Sequence, residues 1–249
     1  MEAQEYALIE ESQTDHWWWL GRQRIIERLI ETYCPTSHSM TIADVGSGLG
    51  ANIALLVRYG RVMALEPSER AVAKIANEWK ATDKVRVVRW ISPQPLPQRF
   101  DLILLADVLE HIPDDAAAVN WIWEHLKPGG HAILTVPAHR HLWTEMDEVV
   151  HHVRRYRARE LRALFAQRFA ICKFSFYNLV LYPVKLLFVA FSRVRRVVSP
   201  RLPRRSFNET PPAPVNQLFK SILFSEAMLI RRVSLPFGVS MVVVVKRPV

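Results

Sequence analysis

The heptapeptide DVGSGLG, from Asp44 to Gly50, constrains the fold most, because it holds three of the chain's only 8 glycines. The apolar segment before it (40–46) predicts a strand, and the segment after it (51–60) has helical spacing and closes at Gly60. Glycine tolerates unusual backbone dihedrals and lets a ligand approach the main chain closely. A strand, a bare turn and a helix in this order therefore predict a nucleotide-type binding site.

Strand-like and helix-like segments alternate along the next part of the chain. Four apolar segments up to Pro137 predict strands, and two further segments have helical spacing, the second of which (116–127) is stopped by Pro-Gly-Gly. AICKFSFY (170–177) and GVSMVVVVKRP (238–248) are also strand-like. Such alternation favours right-handed crossovers and a parallel α/β sheet with helices on both faces.

The domain organisation follows from where this alternation stops. A chain of 249 residues fits one large domain, or one domain with a sizeable insertion. The pattern changes after Pro137, and residues 178–214 bring an apolar stretch, a basic run and the turn-prone TPPAP. We predict an N-terminal helical arm or lid (1–39), an α/β core with the glycine turn (40–177), an insertion (178–238) and the last strand of the core sheet (239–249).

The glycine spacing alone fits two cofactors. Gly46, Gly48 and Ala51 fit the G-x-G-x-x-G/A fingerprint of dinucleotide sites, whereas Gly46, Gly48 and Gly50 fit the G-x-G-x-G of S-adenosylmethionine (SAM) sites. Glu66 stands 20 residues beyond Gly46, at the end of the second predicted strand. A carboxylate there can accept the ribose hydroxyls of either cofactor.

Two downstream segments separate these interpretations. RFDLILLADVLEHIPDD followed by LKPGGHAILTVP resembles the class I SAM-dependent methyltransferases, and the resemblance covers roughly residues 40–140. It implies a Rossmann-like, seven-stranded, mostly parallel sheet with helices on both faces, an N-terminal helical lid and an insertion before the last strand. It also implies SAM as the cofactor. The residues implied to bind SAM in this core are Asp44, Gly46, Ser47, Gly48, Gly50, Glu66, Pro67, Ile91 and Asp107.

The resemblance also divides these residues by the part of SAM that they hold. The turn with Asp44 would surround the methionine portion, Glu66 would hold the ribose, and Asp107 would lie beside the sulfonium. Pro67 and Ser68 would lie along the adenine. The segment RWIS, with Trp90 and Ile91, would hold the adenine by apolar contact, although Trp90 fits the core equally well.

Three adjacent tryptophans in DHWWWLGRQRII (15–26) cannot all face one core on a helix. Similar methyltransferases carry an aromatic run followed by arginine on an N-terminal arm over the cofactor. The resemblance therefore implies that His16, Trp17 and Arg22 are lid residues, with Arg22 a candidate partner for the SAM carboxylate. The alternative is that the tryptophans only anchor the arm on the sheet.

The acceptor-side residues are predicted in DEVVHHVRRY (147–156), which follows the fifth strand at the ligand-binding edge of the sheet. A similar Asp…His-x-Arg-Arg-Tyr pattern recurs in a subset of these methyltransferases. We expect His152, oriented by Asp147, to act as the base, with His111 as the second candidate and a structural role for either histidine as the alternative. Taken together, His139, His141, His151, His152 and Asp147 match no compact metal motif, so we predict no metal.

The predicted insertion is apolar and basic. Residues 174–192 contain a single charge, Lys185, and seven Lys/Arg but no Asp/Glu lie between Lys185 and Arg205. Three roles stay open: a cap over the acceptor, a homodimer interface, or peripheral contact with an anionic membrane. Lys185 and Pro183 count against a membrane span, and the interleaved apolar residues count against nucleic acid.

The function most consistent with these features is methyl transfer from SAM to a lipophilic or carrier-linked small molecule, on oxygen ahead of nitrogen or carbon. The alternatives are an NAD-dependent oxidoreductase and a non-catalytic SAM-binding scaffold. Two cysteines without disulfide spacing and no signal peptide predict a cytoplasmic protein, with association to the inner face of a membrane left open.

Overall fold

A computed structural model describes residues 10–34, 39–198 and 210–249 of the chain. Seven strands form one sheet in the order β3-β2-β1-β4-β5-β7-β6, in which only β7 runs antiparallel to its neighbours. This mostly parallel α/β sheet confirms the predicted fold class. The strands are β1 (Met40–Val45), β2 (Gly60–Glu66), β3 (Val85–Arg89), β4 (Phe100–Ala106), β5 (Leu126–Pro137), β6 (Ala170–Tyr177) and β7 (Ser240–Lys246).

Helices connect the strands and cover the sheet. Short 3-10 turns at Leu109–His111 and Arg140–Leu142 follow β4 and β5. The α-helices are α1 (Trp17–Tyr33), α2 (Ile53–Leu56), α3 (Glu69–Glu78), α4 (Asp115–His125), α5 (Glu145–Val149), α6 (Ala158–Ala166), α7 (Tyr182–Val198) and α8 (Ala213–Ile230).

The central strands are buried on both faces. In β4, Leu102 to Leu105 are at most 1% exposed, and in β7 every residue from Met241 to Val245 is fully buried. β1 and β4 are parallel neighbours, with Ile42 opposite Leu102. The strand order reverses between these two strands, and ligands bind at the carboxyl ends of strands at such a switch point.

Two predicted helices are present, but their predicted ends were wrong. The helix after the glycine turn was expected over 51–60 but covers only Ile53–Leu56, because the chain turns at 57–59 and Gly60 already pairs with Met40 in the sheet. The helix predicted over 116–127 ends at His125. Leu126 instead pairs with Phe100, so the Pro-Gly-Gly segment belongs to the start of β5.

The N-terminal helix α1 packs against α8, far along the sequence. A Cβ built on Gly21 would lie 2.3 Å from the Leu223 side chain, so the helices meet where α1 has no side chain. The Asn216 side chain accepts a hydrogen bond from the Trp17 N–H at 2.8 Å and donates one to the Asp15 carbonyl at 3.0 Å. α1 and α8 therefore form one packed pair, in which α1 contacts β5 and α8 contacts the edge strand β6.

The chain between β6 and β7 contains α7 and α8, within the predicted insertion 178–238. The four domain boundaries stay a prediction. None of the helices that the structure describes combines the length and the apolar character needed to cross a membrane. The part of the basic run from 199 to 205, like residues 1–9 of the predicted arm, lies outside the described residues.

Candidate functional site

A cavity of about 1090 Å³ opens at the carboxyl ends of β1, β2, β4 and β5 and is covered by α1, α7 and α8. Every site residue predicted from the sequence lines it, except Asp44, Gly50 and Ser68. Sites for one drug-sized ligand are typically about 300–1,000 Å³. The volume therefore accommodates a cofactor and an acceptor together.

The glycine turn needs its glycines for two reasons. Gly46 (φ +63°) passes so close to Val108 that a Cβ would lie 2.7 Å from that side chain. Gly48 (φ +54°) faces open space, with no atom within 4 Å of where its Cβ would stand. Positive φ is accessible to glycine without steric cost. The turn thus presents bare backbone to the cavity.

Glu66, the last residue of β2, is hydrogen-bonded to the glycine turn. Its buried carboxylate accepts hydrogen bonds from the Gly48 N–H at 2.8 Å and the Ser68 N–H at 3.0 Å. Burial raises the pKa of Glu66, although these two N–H donors act in the opposite direction. Each carboxylate oxygen keeps a further lone pair for a ligand hydroxyl.

The polar atoms behind the turn fit a polar ligand. Asp44 Oδ2 and Ser47 Oγ are buried and have no hydrogen-bond partner among the described residues. Burial raises the pKa of Asp44 to about 7, against the lowering effect of Arg22. Buried polar groups are rarely left unpaired. Together with the open space at Gly48, they fit the charged and polar methionine end of SAM.

Arg22 of α1 binds two residues at the end of β4. Its guanidinium forms a salt bridge with Asp107, donates to the Ala106 carbonyl at 3.3 Å, and lies 4.5 and 4.7 Å from the ring centroids of Trp18 and Trp19. Asp107 has φ +57°, which is uncommon for a residue other than glycine and is often found at functional sites. Arg22 and Asp107 therefore line the cavity as an ion pair.

The three tryptophans all line the cavity, and each also packs against protein. Trp17 meets Phe219 of α8 edge to face at 5.3 Å, whereas Trp18 and Trp19 flank Arg22. His16 caps α1 by accepting the Trp18 N–H on Nδ1 at 3.2 Å. The arm is thus both anchored and exposed to the cavity, which combines the two alternatives considered for it.

After β3, where the adenine is predicted to bind, Trp90 belongs mainly to the core. It is 4% exposed, packs on Trp121 and donates its indole N–H to the Gln94 carbonyl at 2.8 Å. Ile91 is 54% exposed and, with Pro67, lines the cavity wall. This end offers apolar surface for a flat ring.

On the acceptor side, Asp147 joins three elements. Its buried carboxylate accepts from Thr144 N–H at 2.8 Å, from His152 Nδ1 at 2.9 Å and from Arg155 Nε and Nη2 at 2.7 and 3.1 Å. Burial alone would raise the pKa of Asp147, but the hydrogen bond from His152 and the Arg155 guanidinium outweigh it and hold that pKa well below its usual range. The carboxylate is therefore ionised, and Nδ1 of His152 carries the proton in their hydrogen bond.

His152 faces two further titratable groups. Its Nε2 lies 3.7 Å from Oε1 of the fully buried Glu110, and the His111 ring packs across it at 4.8 Å. Burial, and then the charge of His152, lower the pKa of His111 to about 4. Burial, and then the Asp107 carboxylate, raise the pKa of Glu110 well above its usual value. A neutral His111 and the fully buried Glu110, whose pKa is raised by burial, thus flank His152.

Glu110, His111 and His152 form the one group of metal-ligand type found among the described residues, with ligand atoms within 4.8 Å of one another. Bonds of about 2.0–2.2 Å to one Zn²⁺ would place such atoms closer together, at roughly 3–3.5 Å. Of the other histidines considered for a metal, His139 and His141 lie apart from this group: their rings stack on each other, His139 also stacks on Phe176, and His141 shares a hydrogen bond with the Tyr182 hydroxyl. The absence of a metal stays a prediction.

Comparison with known proteins decides between the two cofactors that the glycine spacing left open. A family model described as a methyltransferase domain matches residues 18–168, more than half of the chain. The chain belongs to the class I SAM-dependent methyltransferase family. The methyl donor of this family is SAM.

The relatives with sequence similarity match over a limited length. The ubiquinone biosynthesis O-methyltransferase of Alkalilimnicola ehrlichii is 32% identical over 99 residues, which are 38% of this chain and 40% of that protein. That of Paramagnetospirillum magneticum is 33% identical over 94 residues, 36% of this chain and 38% of that protein. The chain thus matches about two fifths of the length of these curated relatives.

Solved structures agree in fold over nearly the whole chain. The N-methyltransferase NodS from Bradyrhizobium japonicum, in complex with S-adenosylhomocysteine, has a TM-score of 0.56 at 13% identity and covers 98% of each chain. A complex of the Haloferax volcanii Trm112 activator with a methyltransferase gives a TM-score of 0.61 at 17% identity, covering 97% of this chain and 94% of that one. At such low identity these structures show the shared fold alone.

Sequence reasoning missed four residues of the site. Glu110 stands in the LEHI motif, but nothing local indicated that its carboxylate is fully buried beside His152. Arg155 stands in the HHVRRY segment, yet only the fold shows its two bonds to Asp147. Lys185 and Phe219 come from α7 and α8 and reach the cavity through tertiary packing.

Proposed function

We propose that the protein transfers a methyl group from SAM to a hydroxyl oxygen of a lipophilic small molecule. The observation that carries this proposal is the cavity in which the glycine turn and the Asp147–His152 pair face the same space. When bound, SAM supplies a methyl group activated by a positively charged sulfur. The task left to the protein is to align the acceptor and remove its proton in a water-poor site.

The cofactor half is assigned to the residues around the glycine turn. The Glu66 carboxylate would accept the ribose hydroxyls, and the buried Asp44 carboxylate, which lies behind the turn, would attract the ammonium group of the methionine portion. Pro67 and Ile91 would contact the adenine ring. Arg22 would act together with Asp107, because the two already form a salt bridge. The partnerless oxygens of Asp44 and Ser47 support this assignment.

The base is assigned to His152 through its Nε2. Nδ1 bears the proton that is held by the ionised Asp147, so Nε2 carries the free lone pair. His111 is the weaker candidate, because a ring with a pKa of about 4 has little affinity for a proton at neutral pH. Asp147 and Arg155 act as positioning residues. Asp147 holds the His152 ring through a hydrogen bond, and Arg155 holds Asp147.

The acceptor is assigned as lipophilic because of the walls of this half of the cavity. The side chains that line it are largely apolar and come from the α5 region, α7 and α8: Met146, Val150, Leu181, Val184, Phe188 and Phe219. A proton-accepting histidine suits a hydroxyl, which must lose a proton during methylation. Two relatives similar over part of the chain are named O-methyltransferases, which supports oxygen over nitrogen.

The test uses labelled SAM and an organic-solvent extract of cells that lack the gene. We expect label in an extractable product that survives alkaline hydrolysis, as a methyl ether does and a methyl ester does not. His152→Ala should lower this labelling by about 10²–10⁴ and leave SAM binding unchanged. Label found only in an amine, or only in water-soluble material, would contradict the proposal. No label from a protein that binds SAM would favour the scaffold alternative.

We propose further that the outer face of α7 and α8 contacts an anionic membrane. Of the fifteen exposed large apolar side chains among the described residues, twelve lie between 180 and 237, including Leu187 (73% exposed) and Phe191 (65%). The only acidic residue within these two helices, Glu226, is buried and accepts three backbone N–H bonds. Exposed Arg193, Arg231 and Arg232 complete a surface that is apolar and cationic.

Such a surface has the two properties that peripheral membrane attachment requires. Each cation near an anionic leaflet contributes about 1 kcal/mol, screened beyond about 8 Å at physiological salt. The same helices line the cavity, so a lipophilic acceptor would pass directly from the bilayer to the site. Localisation at the inner face of a membrane would follow.

Sedimentation with phosphatidylglycerol-containing vesicles tests the contact. The wild type should sediment at low salt and less at high salt, whereas a variant with Arg231→Glu and Arg232→Glu should not. A variant with Arg61→Glu and Arg86→Glu makes the same charge change on strands β2 and β3, at the opposite edge of the sheet, and should behave as the wild type. No sedimentation of the wild type, or a dimer in solution that Leu187→Glu dissociates, would contradict membrane contact.

A further inference from the structure

The turn between β6 and α7 brings an unpaired amide to the cavity. Asn178 directly follows Tyr177, the last residue of β6, and lines the cavity. It is 4% exposed, and its Oδ1 is buried with no hydrogen-bond partner among the described residues. Buried polar atoms are rarely left in this state, because the loss of their hydration is then uncompensated. The carboxamide of Asn178 therefore lacks a hydrogen bond that a bound ligand could supply.

The backbone of Asn178 is held from two sides. Its N–H donates to the Glu226 carboxylate of α8 at 2.6 Å, and its carbonyl accepts from the Val239 N–H at 3.3 Å. The Glu226 carboxylate is buried and also accepts the N–H groups of Leu179 and Val180, at 2.9 and 3.0 Å. The main-chain polar groups of Asn178 are thus satisfied, and the unpaired atom belongs to its side chain.

The conformation of Asn178 is one that glycine adopts more easily. Its φ is +60°, which is unfavourable for a residue other than glycine and persists where the surroundings fix it, often at functional sites. Asparagine tolerates this region better than most residues, but glycine would adopt it without steric cost. What asparagine adds at this position is therefore its carboxamide.

The neighbours of Asn178 place it in the half of the cavity assigned to the acceptor. Leu181 and Val184 of its apolar wall follow Asn178 by three and six residues, and Val239, which binds the Asn178 carbonyl, also lines the cavity. A neutral amide on such a wall selects a ligand by hydrogen bonding and not by charge. Because the unpaired atom is a carbonyl oxygen, its partner must be a donor.

We infer that Asn178 accepts a hydrogen bond from a second, neutral donor group of the acceptor, separate from the hydroxyl that is methylated. The inference rests on the proposed assignment of this half of the cavity to the acceptor. Asn178 would be a specificity-determining residue, because an acceptor without the second donor would leave Oδ1 unpaired. A neutral hydrogen bond corresponds to a preference of about two- to tenfold for the molecule that carries the donor.

Binding of small probes to the protein saturated with S-adenosylhomocysteine tests the inference without turnover. The probes are 4-hexylphenol and the three hexylbenzenediols that add one hydroxyl in the ortho, meta or para position, measured by calorimetry at pH 7 under argon. The wild type should bind at least one diol about two- to tenfold more tightly than the phenol. Asn178→Gly removes the carboxamide and suits the φ of +60°, so it should bind that diol no more tightly than the phenol. Asn178→Asp keeps an accepting oxygen and should keep the preference.

Asn120→Ala is the matched control, because it removes an exposed carboxamide from α4 and should leave the preference unchanged. If Asn178→Gly does not fold, the side-chain ¹⁵N–¹H signals of Asn178 in the wild type replace it, and they should shift with the preferred diol and not with the phenol. Equal binding of all probes to the wild type, no binding of any probe, or a preference that survives in Asn178→Gly would each overturn the inference. Because no methyl group is transferred, a failed labelling experiment and a failed binding preference are distinguishable.

Discussion

The buried carboxylate of Asp147 gives the most sharply defined prediction, because Asp147→Asn changes charge without changing volume. Asp147 is 1% exposed and holds His152, Thr144 and Arg155 through hydrogen bonds of 2.7 to 3.2 Å. The amide would leave the guanidinium of Arg155, itself 7% exposed, without a counter-charge.

The magnitude follows from this burial. Removal of one partner from a buried ion pair costs about 3–5 kcal/mol, and in a chain of this size 1 kcal/mol corresponds to about 2–4 °C in Tm. We therefore expect Asp147→Asn to lower the Tm by about 6–20 °C at pH 7. Asp83→Asn, which removes an exposed partner of Arg61, should leave the Tm nearly unchanged.

The pH dependence of this effect has a defined sign. The pKa of Asp147 is held below its usual range in the folded protein, so its stabilisation is complete above the unfolded-state pKa of about 3.9. It is lost as the pH falls further towards the folded-state pKa. Denaturant unfolding at pH 7, 5, 4 and 3 should therefore show the two proteins converging below about pH 4.

A second readout distinguishes positioning of His152 from stability alone. The ¹⁵N shifts of the His152 ring should show a proton on Nδ1 in the wild type at neutral pH, and this tautomer should be lost or mixed in Asp147→Asn. An Asp147→Asn protein with wild-type stability and an unchanged ring tautomer would refute the assignment of Asp147 as the positioning residue.

Three further predictions concern the cofactor, the helix pair and metal dependence. Glu66→Ala should weaken SAM binding by about one to two orders of magnitude in calorimetry, because charged hydrogen bonds are worth roughly 1.5–3 kcal/mol, and unchanged affinity in a folded variant would exclude Glu66 from the ribose site. Gly21→Ala should lower the free energy of unfolding by about 1–3 kcal/mol through the clash with Leu223. Leu223→Ala in the same chain should restore part of this free energy. An unchanged free energy of unfolding in the Gly21→Ala single variant would contradict the close packing of α1 and α8. Methyl transfer should survive extensive dialysis against EDTA, and loss of activity that Mg²⁺ or Zn²⁺ restores would show that the Glu110, His111 and His152 group holds a metal after all.

The sequence carried the information for the sheet because each strand has a local signature. The glycine turn, the apolar β4 segment and the acidic end of β2 predicted both the fold and the family, and they are continuous stretches of chain. The two wrong helix ends have the same origin: Gly60 and Leu126 take strand positions because of partners in neighbouring strands, which local spacing does not reveal.

The side-chain pairs of the site could not be predicted in this way. Arg22 and Asp107 are 85 residues apart, and Trp17 and Asn216 are 199 residues apart. No periodicity links such positions, so the sequence indicated Arg22 as a candidate partner for the SAM carboxylate but could not reveal its salt bridge with Asp107. The inward direction of Lys185 likewise depends on how α7 docks, because the same apolar segment would suit either face.

A crystal structure of the protein with S-adenosylhomocysteine is the most direct test of the central claim, which is that cofactor and acceptor share one cavity. The account predicts the ribose hydroxyls within hydrogen-bond distance of the Glu66 carboxylate, and the sulfur directed into the space that His152 lines. A ribose bound away from Glu66, or a sulfur separated from His152 by protein, would contradict it.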